Sequence, residues 1–214
     1  MLRDQWLSLW TRLGGNPAAG QRPYDRLTAR YAEPHRHYHT LEHIACCLRE
    51  LGIDFGHEEP RDKNAVEMAI WFHDAIYDPK AKDNEARSAE LASTVLNVGG
   101  FGDAFIEKVS DLVMATAHVE APVDYDAQVL IDIDLSVLGQ DERTFDEYER
   151  AVRREYEWVP PDVFCAKRRE ILGTFLVSRP GIYSTYAFRR KYEDQARANL
   201  FRSIDRLKRG IVPV

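Results

Sequence analysis

Apolar residues recur along this chain at helical spacing and almost nowhere at strand spacing. Over 62–77, Ala65, Met68, Ala69, Phe72 and Ile76 fall on one stripe, while Val66, Ile70 and Tyr77 fill a second face beside it. A helix apolar nearly all round is a buried helix. Nearer the C-terminal end, Ala196, Leu200, Ile204 and Leu207 form a single stripe flanked by Arg and Glu, the pattern of a surface helix laid on a core. Gly14-Gly15-Asn16-Pro17, the 52–62 stretch with Gly52, Gly56 and Pro60, Gly99-Gly100, Ala121-Pro122 and Pro160-Pro161 punctuate the pattern. Only 131–137 alternates with period two. A lone strand would leave its backbone groups unpaired, so 126–139 reads as a helix closed by Gly139. The fold class is therefore all-α, a compact helical bundle.

Composition narrows this further. With 214 residues, 44% of them hydrophobic, the chain can bury one substantial core, and a single domain over 1–214 is expected. A net charge of −6 disfavours a protein that holds a nucleic acid polymer by neutralising phosphates. Three cysteines, two of them the adjacent Cys46 and Cys47, supply no disulfide framework and point to a reducing cytoplasm. Asp4 interrupts the apolar N-terminal stretch, which reads neither as a signal peptide nor as a membrane span.

Chemistry enters with the histidines. His35, His37, His39 and His43 crowd one turn, and His57, His73 and His118 follow. A helix starting near Thr40 turns His39 and His43 toward one point. Singly, His35, His37 and His57 read as solvated turn residues. In Trp71-Phe72-His73-Asp74-Ala75-Ile76 an ionised aspartate falls inside an apolar helix, which costs several kcal/mol unless a cation or hydrogen bonds offset it. A buried Asp–Arg or Asp–His bond would answer for Asp74 alone. A metal answers for Asp74 and the surplus histidines together, since imidazole and carboxylate are common ligands of divalent transition ions. A further carboxylate ligand is expected between Asp132 and Asp134. On a helix Asp134 has Leu130, Ile131, Val137 and Leu138 around it, whereas Asp132 has Gln128, Val129, Leu135 and Ser136. Asp134 is thus expected to be the buried ligand, and Asp132 a supporting or solvated residue.

The ordered set His43, His73-Asp74 and Asp134 resembles the H…HD…D signature of the HD-domain superfamily of metal-dependent phosphohydrolases. Tyr38-His39-Thr40-Leu41-Glu42-His43 is similar to the YHNxxH segment of cyclic-nucleotide phosphodiesterases, and Ile133-Asp134-Leu135-Ser136 to their ADLS segment. The passage 31–139, with Phe72–Tyr77, Asp83-Asn84-Glu85 and Ser88-Ala89, resembles a bacterial group of predicted HD phosphohydrolases, and the likeness runs on through Ala196-Arg197-Ala198-Asn199-Leu200. The resemblance implies an HD-type bundle with a metal-site core over about 31–139 and C-terminal helices over 141–209. It implies one divalent ion (Mn, Fe, Co, Ni, Zn or Mg) held by His43, His73, Asp74 and Asp134. His39 would be the proton donor, Asp74 would also orient the attacking hydroxide, and the substrate would be a small phosphate ester such as a nucleotide.

Two departures shape that expectation. HDAIYDPK lacks the second histidine of two-metal phosphodiesterases, and only His118 stands where di-iron HD oxygenases carry two. One ion is expected, and the oxygenase reading is disfavoured. The intact ligand set likewise disfavours a non-catalytic module that binds a signalling nucleotide. Glu85, His118 and Arg169 are weaker candidates for substrate contacts. Arg36, Lys80, Lys82 and Arg168 are further basic residues near the motifs.

Overall fold

The computed structural model describes residues 2–53, 55, 59–117, 122–177 and 181–213, and among these the regular elements are helices, with no strand. The all-α class follows. The chain divides into two compact units, the first of residues 1–53 and 59–131, the second of 54–58 and 132–214. No helix among the described residues is long and apolar enough to cross a membrane.

The first unit holds α1 (Leu2–Arg12), α2 (Pro17–Tyr31), α3 (Leu41–Glu50), α4 (Lys63–Phe72), α5 (Asn84–Val98), α6 (Asp103–Ala115) and most of α7 (Tyr125–Asp134). α4 packs against α1, α3, α5 and α6, and every residue from Ala65 to Phe72 is buried, as the two apolar stripes require. Its one charged residue in that run, Glu67, meets Arg12 at 2.5 Å. The N-terminus of α4 is capped by the Asp62 carboxylate, which accepts from Ala65 N–H at 2.9 Å. Asp126 of α7 accepts from the N–H groups of Arg61 and Asp62 just before it, at 2.7 and 3.2 Å.

α4 is shorter than the 62–77 pattern predicts. The helix stops at Phe72, and Ala75 N–H turns back to the Phe72 carbonyl at 2.9 Å. Residues remote in sequence make this turn possible. The Arg36 guanidinium donates to the Asp74 carbonyl (2.7 Å) and the Ala75 carbonyl (3.3 Å). The Ser88 hydroxyl, on α5, accepts from Ile76 N–H (3.0 Å) and donates to its carbonyl (3.3 Å). The last carbonyls of α4 also find partners, Trp71 from the Tyr31 hydroxyl at 3.0 Å and Ile70 from His73 Nδ1 at 2.9 Å.

The second unit holds the end of α7, a 3-10 turn (Leu135–Gly139), α8 (Glu142–Glu155), α9 (Pro161–Val177) and α10 (Tyr186–Lys208). α10 packs on α9 and on the 3-10 turn, and α8 packs on the same turn. The expected helix 126–139 is thus α7 as far as Asp134, then the tighter turn. Gly139 closes it without a left-handed backbone, and glycine is required there because a Cβ would lie 2.5 Å from Tyr192 Cβ. Inside the unit, Arg168 donates to Glu149 (3.0 Å from Nε) and to the Tyr148 hydroxyl (2.7 Å), and Ser203 donates to the other Glu149 oxygen at 2.9 Å.

Candidate metal centre

Two helix ends in the first unit bring the donors together. Thr40 caps α3, its hydroxyl accepting from Glu42 N–H at 3.3 Å. His43 follows in the first turn with its side chain 2% exposed. His73 stands immediately after α4, also 2% exposed, and Asp74 comes next with 20% of its side chain exposed. His73 Nδ1 lies 2.9 Å from the Ile70 carbonyl. A carbonyl only accepts, so Nδ1 carries the hydrogen and Nε2 of a neutral ring presents a lone pair. That Nε2 is 3.1 Å from His43 Nε2 and 3.1 Å from Asp74 Oδ2, and His43 Nε2 is 3.6 Å from the same oxygen.

Facing electron pairs at these separations call for a proton or a cation between them. Ligands bonded to one transition ion at roughly 2.0–2.1 Å stand ~2.9–3.4 Å apart for octahedral to tetrahedral angles. The two 3.1 Å spacings fall in that range, and the 3.6 Å spacing lies just beyond it. Burial alone would raise the Asp74 carboxyl, but wherever the imidazoles of His73, His39 and His43 carry positive charge they outweigh it and hold it well below the usual carboxylate range.

Cys47, one helical turn beyond His43, is a donor that the sequence reading missed. His43, Cys47 and His73 each offer a ligand atom within 4.8 Å of the others. The spacing of four along α3 was the available signal. The Cys47 sulfur lies 3.8 Å from His43 Nδ1 and 3.7 Å from Nε2. Near-equal distances place it alongside the ring and not in line with either lone pair. Among the first unit's own residues, the buried His43, Cys47 and His73 are therefore donors that could hold a metal ion, and Asp74 Oδ2 lies 3.1 Å from His73 Nε2.

The rim of the cluster is aromatic. His39 is half-buried and stacks on Tyr77, with ring centroids 4.1 Å apart and an interplanar angle of 28°. Tyr38 meets the His39 ring edge-on at 5.0 Å and the His43 ring at 4.8 Å. Arg36 is a structural residue: its Nε pairs with Glu33 at 3.0 Å, and Nη1 reaches the carbonyls of His39 (3.0 Å) and Asp74 (2.7 Å). Its guanidinium lies over the Tyr31 and Tyr77 rings at 5.2 and 5.4 Å. A cation committed to this many neighbours holds two loops together and is not offered to a phosphate.

The remaining candidates are Asp134, residues that are partly or fully exposed or committed elsewhere, and two that lie outside the described residues. Asp134 ends α7 in the second unit and is half-buried. Its neighbour Asp132 reverses the expected burial: Asp132 is the fully buried one. Its oxygens accept from Ser184 N–H at 2.8 and 3.1 Å and from Thr185 N–H at 2.7 Å. Neighbours along α7 alone carry no sign of this loop, which lies some fifty residues away in the chain. Glu85 is half-buried in the first turn of α5. Arg169 is exposed on α9, as are Lys80 and Lys82 in the loop before α5, while Arg168 is buried in the Glu149 network. His57 and His118 lie outside the described residues. Comparison with family models, with curated proteins and with solved structures finds no match for this chain.

Proposed function

We propose that this protein is a metal-dependent hydrolase of small phosphate esters, of the kind that its resemblance to HD phosphohydrolases implies. The observation that carries the proposal is the facing of His43 Nε2, His73 Nε2 and Asp74 Oδ2 at 3.1–3.6 Å in a nearly closed setting. Asp134 is the proposed further ligand. In its support, Asp134 matches the last position of the H…HD…D signature, while the carboxylate of Asp132 is committed to backbone N–H groups. A divalent ion held there would supply Lewis acidity, polarising a phosphoryl oxygen and acidifying water.

The chain's own residues would do the rest. Water, oriented by Asp74, forms the new bond to phosphorus, and its proton passes to solvent. The bond to the leaving oxygen breaks with its electron pair on that oxygen, which takes the ring proton of His39. His39 is then reprotonated from solvent. Its half-exposed place beside buried His43 suits a proton donor that meets substrate, and the substrate class proposed is a nucleotide or related mono- or diester.

The test couples elemental analysis of the purified protein to a panel of phosphate esters assayed with Mn, Co, Ni, Zn and Mg. His39→Ala is expected to keep its metal and lose ~10²–10⁴-fold in turnover, most for esters with poor leaving groups. Asp74→Ala is expected to lose metal and turnover together. Tight metal binding without turnover on any ester would favour a module that binds a phosphorylated ligand without cleaving it.

A further inference from the structure

A proton donor is useful only if its N–H points one way, and an imidazole in a turn has two side-chain torsions to lose. In this protein, we infer that Tyr77 is the residue that sets the His39 ring, so that the aromatic stack, and not the metal ligands, aims the proposed general acid. The inference rests on the hydrolase reading above and adds a positioning residue to it.

Three observations carry it. First, the His39 imidazole lies nearly flat on the Tyr77 ring, at 4.1 Å between centroids, while Tyr38 closes its edge at 82°. Second, Tyr77 is itself a fixed plate. The backbone of Ile76, just before it, is held on both sides by the Ser88 hydroxyl. The Tyr77 carbonyl meets His35 Nε2 at 2.8 Å, and the Arg36 guanidinium covers the Tyr77 ring. Third, Arg36 joins the two turns by donating from one nitrogen to the carbonyls of both His39 and Asp74, so donor and ligand share a common support. His43 is farther from His39, with centroids 6.1 Å apart and the rings nearly perpendicular, and offers it no flat support. Stacked aromatic pairs favour particular ring arrangements beyond what area burial alone supplies, and so select one ring orientation from several.

The chemistry of Tyr77 in this role is its ring and not its hydroxyl, which makes the inference separable from a second acid or a metal ligand. Misplacing a reacting group by about 1 Å can cost ~10²-fold. Tyr77→Leu is therefore expected to lose ten-fold or more in kcat with KM little changed, and to lose most on esters with poor leaving groups. Tyr77→Phe is expected to restore most of that loss. Metal content should match wild type in both variants.

A readout independent of turnover is the proton NMR spectrum of the metal-loaded protein. The His39 ring protons, identified by their disappearance in His39→Ala, should be shifted upfield by the stacked ring. Tyr77→Leu should return them toward the position of free imidazole, and Tyr77→Phe should keep the shift. Wild-type protein with no turnover on any ester would overturn the hydrolase reading and this inference with it. Turnover that falls in His39→Ala but is unmoved in Tyr77→Leu would overturn the inference alone. So would His39 ring protons that stay where they are in Tyr77→Leu.

Discussion

Asp132 and Asp134 stand two positions apart on α7 and carry different burdens. Asp132 is fully buried and accepts from the N–H groups that lead into α10, so it is a structural anion whose partners lie some fifty residues away. Charge-assisted bonds of this type contribute about 1.5–3 kcal/mol. Asp132→Asn should therefore lower stability by about that much, read as the urea midpoint, while leaving metal content intact. Asp134→Asn should do the reverse, costing metal with little loss of stability; a metal-free Asp132→Asn would show that the two assignments were exchanged. The sequence made the nature of both residues legible, two acids in an apolar helix. It ranked their burial wrongly because periodicity reports only neighbours on the same element. Cys47 escaped notice for a related reason, since a lone cysteine gains meaning only when His73 is seen beside it.

At the scale of elements, the buried character of α4 was legible because its apolar residues fill two adjoining faces, and the structure buries every residue from Ala65 to Phe72. Its end was not legible. Arg36 and Ser88, from other parts of the chain, hold the non-helical backbone of 74–76 that follows Phe72, and no local breaker marks the spot. The 3-10 turn Leu135–Gly139 shows the same limit. Gly139 was readable as an ending, but what demands glycine there is the closeness of Tyr192 on α10. The Tyr183 hydroxyl donates to the Leu135 carbonyl at 3.1 Å and Asn199 to those of Leu138 and Gln140 at 2.9 and 2.8 Å, so the turn has little freedom to retreat. Gly139→Ala is expected to cost about 1–3 kcal/mol by overpacking. An unchanged urea midpoint would mean that the turn yields where these bonds say it should hold.

Over the whole molecule, stability should depend on pH and on metal in ways that can be separated. Asp146 of α8 meets Arg202 at 2.9 Å and Arg206 at 3.1 Å on α10. Burial pushes its carboxyl up, but these two cations outweigh that and hold it below the usual range. A carboxyl depressed in the folded state stabilises above its unfolded pKa, about 3.9, and the contribution is lost as pH falls through the folded value. Asp146→Asn should thus be less stable than wild type near neutral pH, and the gap should close in acid; a gap that persists there would assign the loss to packing. Metal linkage gives the stronger test because it concerns the candidate centre itself. An ion that binds only the folded chain adds about 2.7 kcal/mol at a free concentration one hundred times its Kd. For a chain of this length, that corresponds to an increase of roughly 5–11 °C in Tm. Titrating the metal-stripped protein with Zn, Mn or Co should produce such a rise with the preferred ion, and a chelator should reverse it. In Asp74→Asn the carboxylate oxygen that faces both Nε2 atoms loses its charge, and the rise should shrink to a small fraction. An undiminished rise in Asp74→Asn would mean that the ion binds elsewhere, and the convergence of His43, His73 and Asp74 would then need only a shared proton to explain it.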